Sequence, residues 1–348
     1  ALPNEKSDEF IKENKDLQIY EKYINEIRRN KPYILSEDEE KILAMAKDVT
    51  QSPKNIYSMI NNADIKFPII KDEDGMEIEV TKGRFIALMG SQDRRVRKDA
   101  FEAFYSTYKK QSNTFATTLS ANVKANIFNS KARKYNSARE ASLFADNIST
   151  EIYDNLIETI HKNMHLMHKY VSLRKKMLGL EELHMYDLYT PIVQNVNVEV
   201  TYEKAIEKIK KALCVLGPKY LKDLNKGFSS GWIDRYENKG KQSGAYSWGC
   251  YDSHPYVLLN YTDTINSIFT VAHEMWHAIH RYYSTTNQPY IYAGYKIFVA
   301  EVASTFNESI LMNYMLENTC DKKEKLYLLN RYMESFRTTV YRQTMFAE

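Results

Sequence analysis

His273, Glu274 and His277 are the residues whose types and spacing point most directly to chemistry. They lie in SIFTVAHEMWHAIHRYY, from Ser267 to Tyr283. On a helix, residues four apart share a face and sit about 6 Å from each other along the axis. Two imidazoles so placed can meet at one metal ion. Glu274 projects from a neighbouring angle, within reach of a water on that metal. This is the His-Glu-x-x-His pattern, whose chemistry is metal-assisted hydrolysis. The plainer alternative is a helix carrying two ordinary hydrogen-bonded histidines.

A catalytic zinc takes three protein ligands and keeps one position open. His280 follows on nearly the same face, but seven residues from His273 is about 10 Å along the axis, too far for bonds of about 2 Å to gather all three. The third ligand is therefore expected from a second element packed on the first. Ile297 to Leu316, IFVAEVASTFNESILMNYML, reads as that element, an amphipathic helix. Its first acid, Glu301, stands among Phe298, Val299, Ala300 and Val302, where a carboxylate is costly unless something pairs it. Glu308 lies two turns later on the same face. Glu308 and His280 are the candidates to orient a ligand through its outer nitrogen.

The elements that must position these residues can be read from patterning. Ile268, Phe269, Ala272, Met275, Trp276 and Ile279 recur at helical spacing without Gly or Pro, which predicts a helix over 267–283. Upstream, Ala245-Tyr246-Ser247-Trp248 and Tyr256 to Tyr261 read as strands joined through His254-Pro255. Ala245 to Trp248 is the candidate edge that could pair with an extended peptide through main-chain bonds; an ordinary internal hairpin is the alternative. Tyr290, Tyr292 and Tyr295 are expected to pack the loop between the two ligand-bearing helices.

The stretch HEMWHAIH, followed by FVAEVASTFNE and preceded by SGAYSWGCYDSHPYVLLNY, resembles the oligoendopeptidase F branch of the thimet oligopeptidase family of zinc metallopeptidases. NNADIKFP, DRRVRKDAFEAFYSTY and LHMYDLYTP extend the similarity through nearly the whole chain. The resemblance implies a mainly α, zincin-like fold, with a small β-sheet beside the zinc helices. It implies one Zn²⁺ per chain on His273, His277 and Glu301, with Glu274 as general base. The implied substrates are short peptides admitted to a deep channel between helical lobes. By the same resemblance, residues 1–70 are a segment of a helical N-terminal lobe and 71–348 a metallopeptidase domain incomplete at its C-terminus. Relatives carry further sequence on both sides, including a downstream His and tyrosines that bind substrate, so the polypeptide is expected to be a fragment. The rival readings are a zinc- or peptide-binding fragment or homologue without turnover, and a helical interaction scaffold with an accidental motif.

Bulk properties agree with a helical protein. The chain has 348 residues, 43% hydrophobic, with 27 Tyr but only 11 Gly and 8 Pro. A formal net charge of +3 gives no reason to expect nucleic acid. No run of 18 apolar residues suggests a membrane span, and no signal peptide is visible. Three widely spaced cysteines without a Cys-x-x-Cys suit a reducing, cytoplasmic setting.

Elsewhere, Ser36 to Glu39 is a capping box opening a helix through Val49, and Ser52-Pro53 is expected to start another. Ile65 to Thr81 reads as a hairpin turning at Asp74-Gly75, with its acids serving the turn. One long helix is expected from Ser91 to about Ser130, with Phe101, Phe104, Tyr108, Phe115, Leu119, Val123 and Ile127 as its core stripe. Arg94, Arg95, Arg97 and Lys98 at its start read as a solvated face pairing with acids elsewhere. Further helices are expected over 149–178, 202–216 and 321–348. His161, His165 and His168 are expected on a core boundary rather than at a second metal site.

Overall fold

The computed structural model describes residues 3–193, 199–242 and 244–348. It is mainly helical, with one two-stranded and one three-stranded sheet. The chain divides into two compact units, Ile24–Ile192 with Thr339–Glu348, and Ala1–Tyr23 with Val193–Thr338.

In the first of these, the helix Glu37–Met59 opens on the expected capping box. Ser36 Oγ accepts from the Glu39 amide, and the Glu39 carboxylate accepts from the Ser36 amide at 2.9 Å. Pro53 does not start a new helix but lies inside this one. The strands β1 (Ile69–Lys71) and β2 (Glu77–Glu79) pair antiparallel, with Ile70 opposite Ile78. Asp72 Oδ1 accepts from the amides of Asp74 and Met76, and Gly75 takes φ 79°, so these acids do serve the turn.

The long helix expected from Ser91 is two helices, Arg94–Lys110 and Ser112–Ala132, separated at Gln111. Asp93 caps the first by accepting from the Arg95 amide. Its apolar face joins Val80, Phe85, Leu88, Met89, Val96 and Ala100 in a core, with Phe101 and Phe104 packed on its margin. Leu119, Val123 and Ile127 of the second helix are exposed, against expectation. Periodicity shows which residues share a face, not what covers that face. The helix expected over 149–178 is likewise divided at Asn163, into Thr150–Lys162 and Met164–Met177.

The basic cluster does pair with acids, but it is not all solvated. Arg97 is 3% exposed and its guanidinium donates to Asp187 Oδ1 at 2.8 Å. Arg94 donates to Asp187 Oδ2 at 3.1 Å, and the His184 amide to the same oxygen at 3.0 Å. Arg95 pairs with Asp93 and Asp99, and Lys98 with Glu102.

The second unit is built around the helix Ile265–Asn287, which contains the His-Glu-x-x-His stretch. Ile268, Phe269, Val271, Ala272, Met275, Ala278 and Ile279 are buried, as the spacing predicts. They pack with residues of the helices Tyr202–Ala212, Pro218–Ser229, Ile297–Asn318 and Lys322–Ser335 in a single core. The helix expected over 321–348 changes to a wide turn at Phe336–Tyr341 before resuming at Arg342–Ala347.

The three-stranded sheet is ordered β3 (Ile233–Asp234), β5 (Tyr256–Leu258), β4 (Tyr246–Trp248). Strand β4 pairs antiparallel with β5, with Ser247 opposite Val257. The two-residue β3, parallel to β5, has no counterpart in the sequence reading: it is too short to show periodicity. No helix among the described residues is long and apolar enough to cross a membrane.

Candidate active site

The motif helix starts at a cluster of hydroxyls. Thr264 is its N-cap, accepting from the Ser267 amide at 3.3 Å, and Ser267 Oγ lies 2.9 Å from Thr262 Oγ1 and 3.1 Å from Thr264 Oγ1. Two turns on, His273 and His277 present Nε2 to Nε2 at 3.1 Å. The Glu301 carboxylate faces both, Oε2 at 3.6 Å from His273 Nε2 and Oε1 at 3.7 Å from His277 Nε2.

On its other side His273 Nδ1 lies 2.7 Å from Glu308 Oε1. A carboxylate at Nδ1 fixes the proton there and leaves Nε2 as a lone pair. Two ring nitrogens facing each other with an acid across from them form a donor set with an unfilled electrostatic need. One ligand atom from each of His273, His277 and Glu301 lies within 4.8 Å of the others, so the set could hold a metal ion. Donors about 2.0–2.2 Å from a tetrahedral ion sit roughly 3.3–3.6 Å apart, close to the separations observed. The residues therefore fit zinc.

Glu274 is 7% exposed. Burial pushes its carboxyl up to about 6; Glu301 and Glu308 add to the shift, and His273 opposes it. Burial works against a charge on His273, but the Glu308 hydrogen bond and the carboxylates of Glu308, Glu274 and Glu301 outweigh it and raise its pKa. His277 is shifted the other way, by burial and by the neighbouring His273.

The expectation for Glu301 needs one correction. Its side chain is 49% exposed, and Phe298, Val299 and Val302 are exposed too. Burial among apolar neighbours is therefore not what demands a partner for Glu301. Its place opposite two imidazoles is. His280 stacks on Tyr295, ring centroids 3.9 Å apart, and burial lowers its pKa. Its Nδ1 has no hydrogen-bond partner among the described residues, and no hydrogen bond joins it to His273 or His277. Of the tyrosines expected to pack the loop, Tyr290 is 75% exposed, and Tyr292 reaches out of the loop, its hydroxyl accepting from the Tyr23 amide at 3.1 Å and donating to the Ile19 carbonyl at 2.6 Å.

Among the described residues strand β4 is an edge of its sheet, and it packs against the motif helix. Along it Trp248 is 72% exposed, Tyr246 is exposed, and Ser247 and Ala245 are half-buried. A cleft of about 320 Å³ lies beside its start, lined by Gly244, Ala245, Asn260, Ser267 and Thr270 among others.

Residues 87–348 match the family model described as Peptidase family M3, and residues 1–67 match that described as Oligopeptidase F. The chain belongs to peptidase family M3. Within it, the chain is of the oligoendopeptidase F branch. Oligopeptidase PepF of Bacillus subtilis (strain 168) is 50% identical over 348 residues, 100% of this chain and 52% of that protein. Group B oligopeptidase PepB of Streptococcus agalactiae serotype III (strain NEM316) is 43% identical over 97% of this chain and 56% of its own length. Among solved structures, oligoendopeptidase-F from Enterococcus faecium superposes with a TM-score of 0.78 at 34% identity, covering 99% of this chain and 56% of that one. The chain thus spans about half the length of the curated M3 relatives it matches.

Two features of this M3 site escaped sequence reasoning. Ser304 is fully buried and donates to Glu301 Oε2 at 2.8 Å. Its signal was a hydroxyl three residues after the acid, on the same helix. Asn307, also fully buried, donates to Tyr220 Oη at 3.0 Å, and Tyr220 packs on Trp276 between the two motif histidines. No local spacing could have linked Tyr220 to them.

Proposed function

We propose that this chain carries the catalytic centre of a zinc-dependent endopeptidase acting on short peptides. The convergence of His273, His277 and Glu301 beside a buried Glu274 is the observation that carries this reading. Bound by those three residues, zinc supplies a Lewis acid that brings the pKa of a water to about 7. Glu274 accepts the proton as the water attacks the scissile carbonyl and passes it to the leaving amine. The open edge of β4, from Ala245 to Trp248, aligns an extended peptide through main-chain bonds and so reads its side chains loosely.

Matches to separate family models over 1–67 and 87–348 support a division near residue 70 into a lobe segment and a peptidase domain. Exposed free thiols at Cys214, Cys250 and Cys320 support a reducing, cytoplasmic setting.

Elemental analysis tests the metal. The purified chain should hold about one zinc, and Glu301→Gln should lose or weaken it. A parent with no zinc after metal is supplied would overturn the reading. Glu308→Ala, which frees the His273 ring, should weaken zinc affinity 10- to 100-fold, measured by competition with a chelating dye. An unchanged affinity would remove Glu308 from the site.

A further inference from the structure

Of the three residues that would hold zinc, Glu301 is the least constrained by its surroundings. His273 is held by Glu308, and both histidines sit on a helix with a buried face. Glu301 has neither advantage. Its side chain is half-exposed, and its distances of 3.6 and 3.7 Å to the imidazoles exceed a hydrogen bond. An exposed glutamate ordinarily samples several rotamers, and fixing it carries an entropic cost.

Ser304 is the exception in that environment. It is fully buried, one turn beyond Glu301 on the same helix, and its Oγ lies 2.8 Å from Oε2. The Glu301 carbonyl lies farther from Oγ, at 3.1 Å, and already accepts from the Thr305 hydroxyl at 2.7 Å. The hydroxyl proton therefore goes to the carboxylate, where the bond is charge-assisted. No other donor lies within hydrogen-bond distance of that carboxylate among the described residues. Packing alone does not explain a serine here, because alanine would fill the same space and favours helix more. A buried hydroxyl also costs free energy unless it is bonded.

We infer that Ser304 is a positioning residue for the metal site: its hydroxyl pre-orders the Glu301 carboxylate toward His273 and His277 before the ion arrives. The inference rests on the zinc reading above. It makes zinc affinity depend on a residue that does not ligate.

The test is a double-mutant cycle on zinc dissociation constants, obtained by dye competition for the parent, Ser304→Ala, Glu301→Ala and the double variant. Ser304→Ala should weaken binding by about tenfold or more, the range found for partners of metal ligands. In the Glu301→Ala background the same change should do nothing, because the hydroxyl would have nothing left to hold. Thermal unfolding of the zinc-free proteins serves as the folding control, and Ser304→Ala should melt with the parent. Parental affinity in Ser304→Ala overturns the inference. So does an equal loss in both backgrounds, which would mean the effect travels through the fold. A parent that binds no zinc overturns the metal reading itself, and is distinguishable because it fails before any variant is compared.

Discussion

On the proposed function, Glu274→Gln should lower peptide turnover by 10²–10⁴-fold while zinc content stays at the parent value. Glutamine keeps the shape of the side chain but cannot accept a proton as a carboxylate does. The residue is buried beside His273, one of the candidate ligands. None of the candidate ligand atoms is altered, which is why metal content and turnover should separate. Turnover is read with a quenched-fluorescence peptide, and zinc by elemental analysis. A variant within tenfold of the parent would mean that another group takes the proton.

The second large effect is expected far from the chemistry. Asp187→Asn should destabilise the chain by about 3–5 kcal/mol, the cost of removing one partner of a buried ion pair. Asp187 is fully buried, and Arg97 nearly so. Arg94, 41% exposed at its side chain, can turn to water, but Arg97 cannot. Asparagine would also present an NH₂ group where guanidinium and amide donors now converge. Native stabilities of 5–15 kcal/mol leave little margin for such a loss. Urea denaturation measures it, and a change under 1 kcal/mol would show that the network is replaceable.

The pH dependence carries a definite sign. Burial raises the Asp187 pKa, but the hydrogen bonds from Arg94, Arg97 and the His184 amide outweigh it and hold the value below the ordinary one. The group therefore contributes stability above its unfolded pKa of about 3.9, and that contribution disappears as pH falls through the folded value.

Much of the site was legible because its chemistry is local. The motif histidines are four apart, and a buried helical face is written into Ile268, Ala272, Met275 and Ile279. Glu308 was legible as the acid two turns past Glu301, and it meets His273 Nδ1. What was not legible depended on distance along the chain or on small local choices. Asp187 lies in a stretch that reads as a plain connector, and its importance comes from arginines some ninety positions away. Ser304 looked like an ordinary polar residue until its hydroxyl could be placed against the carboxylate. Helix breaks at Gln111 and Asn163 carry no Gly or Pro, so a pattern reading runs straight through them. Conversely, Pro53 signalled a start that the surrounding helix overrode.

The two ligand-bearing helices are consecutive in the chain, with Gln288 to Lys296 between them, and they make a helical hairpin. An ion shared by His273 and Glu301 would therefore be a cross-link over a short contour. By the polymer treatment used for disulfides, closing a loop of about 30 residues is worth roughly 3–4 kcal/mol through the unfolded chain alone. Such a staple would hold the hairpin shut without tying together remote parts of the sequence. Pieces of the chain far from it would gain rigidity only through packing, so the protective effect of metal should be graded outward from the hairpin rather than spread evenly.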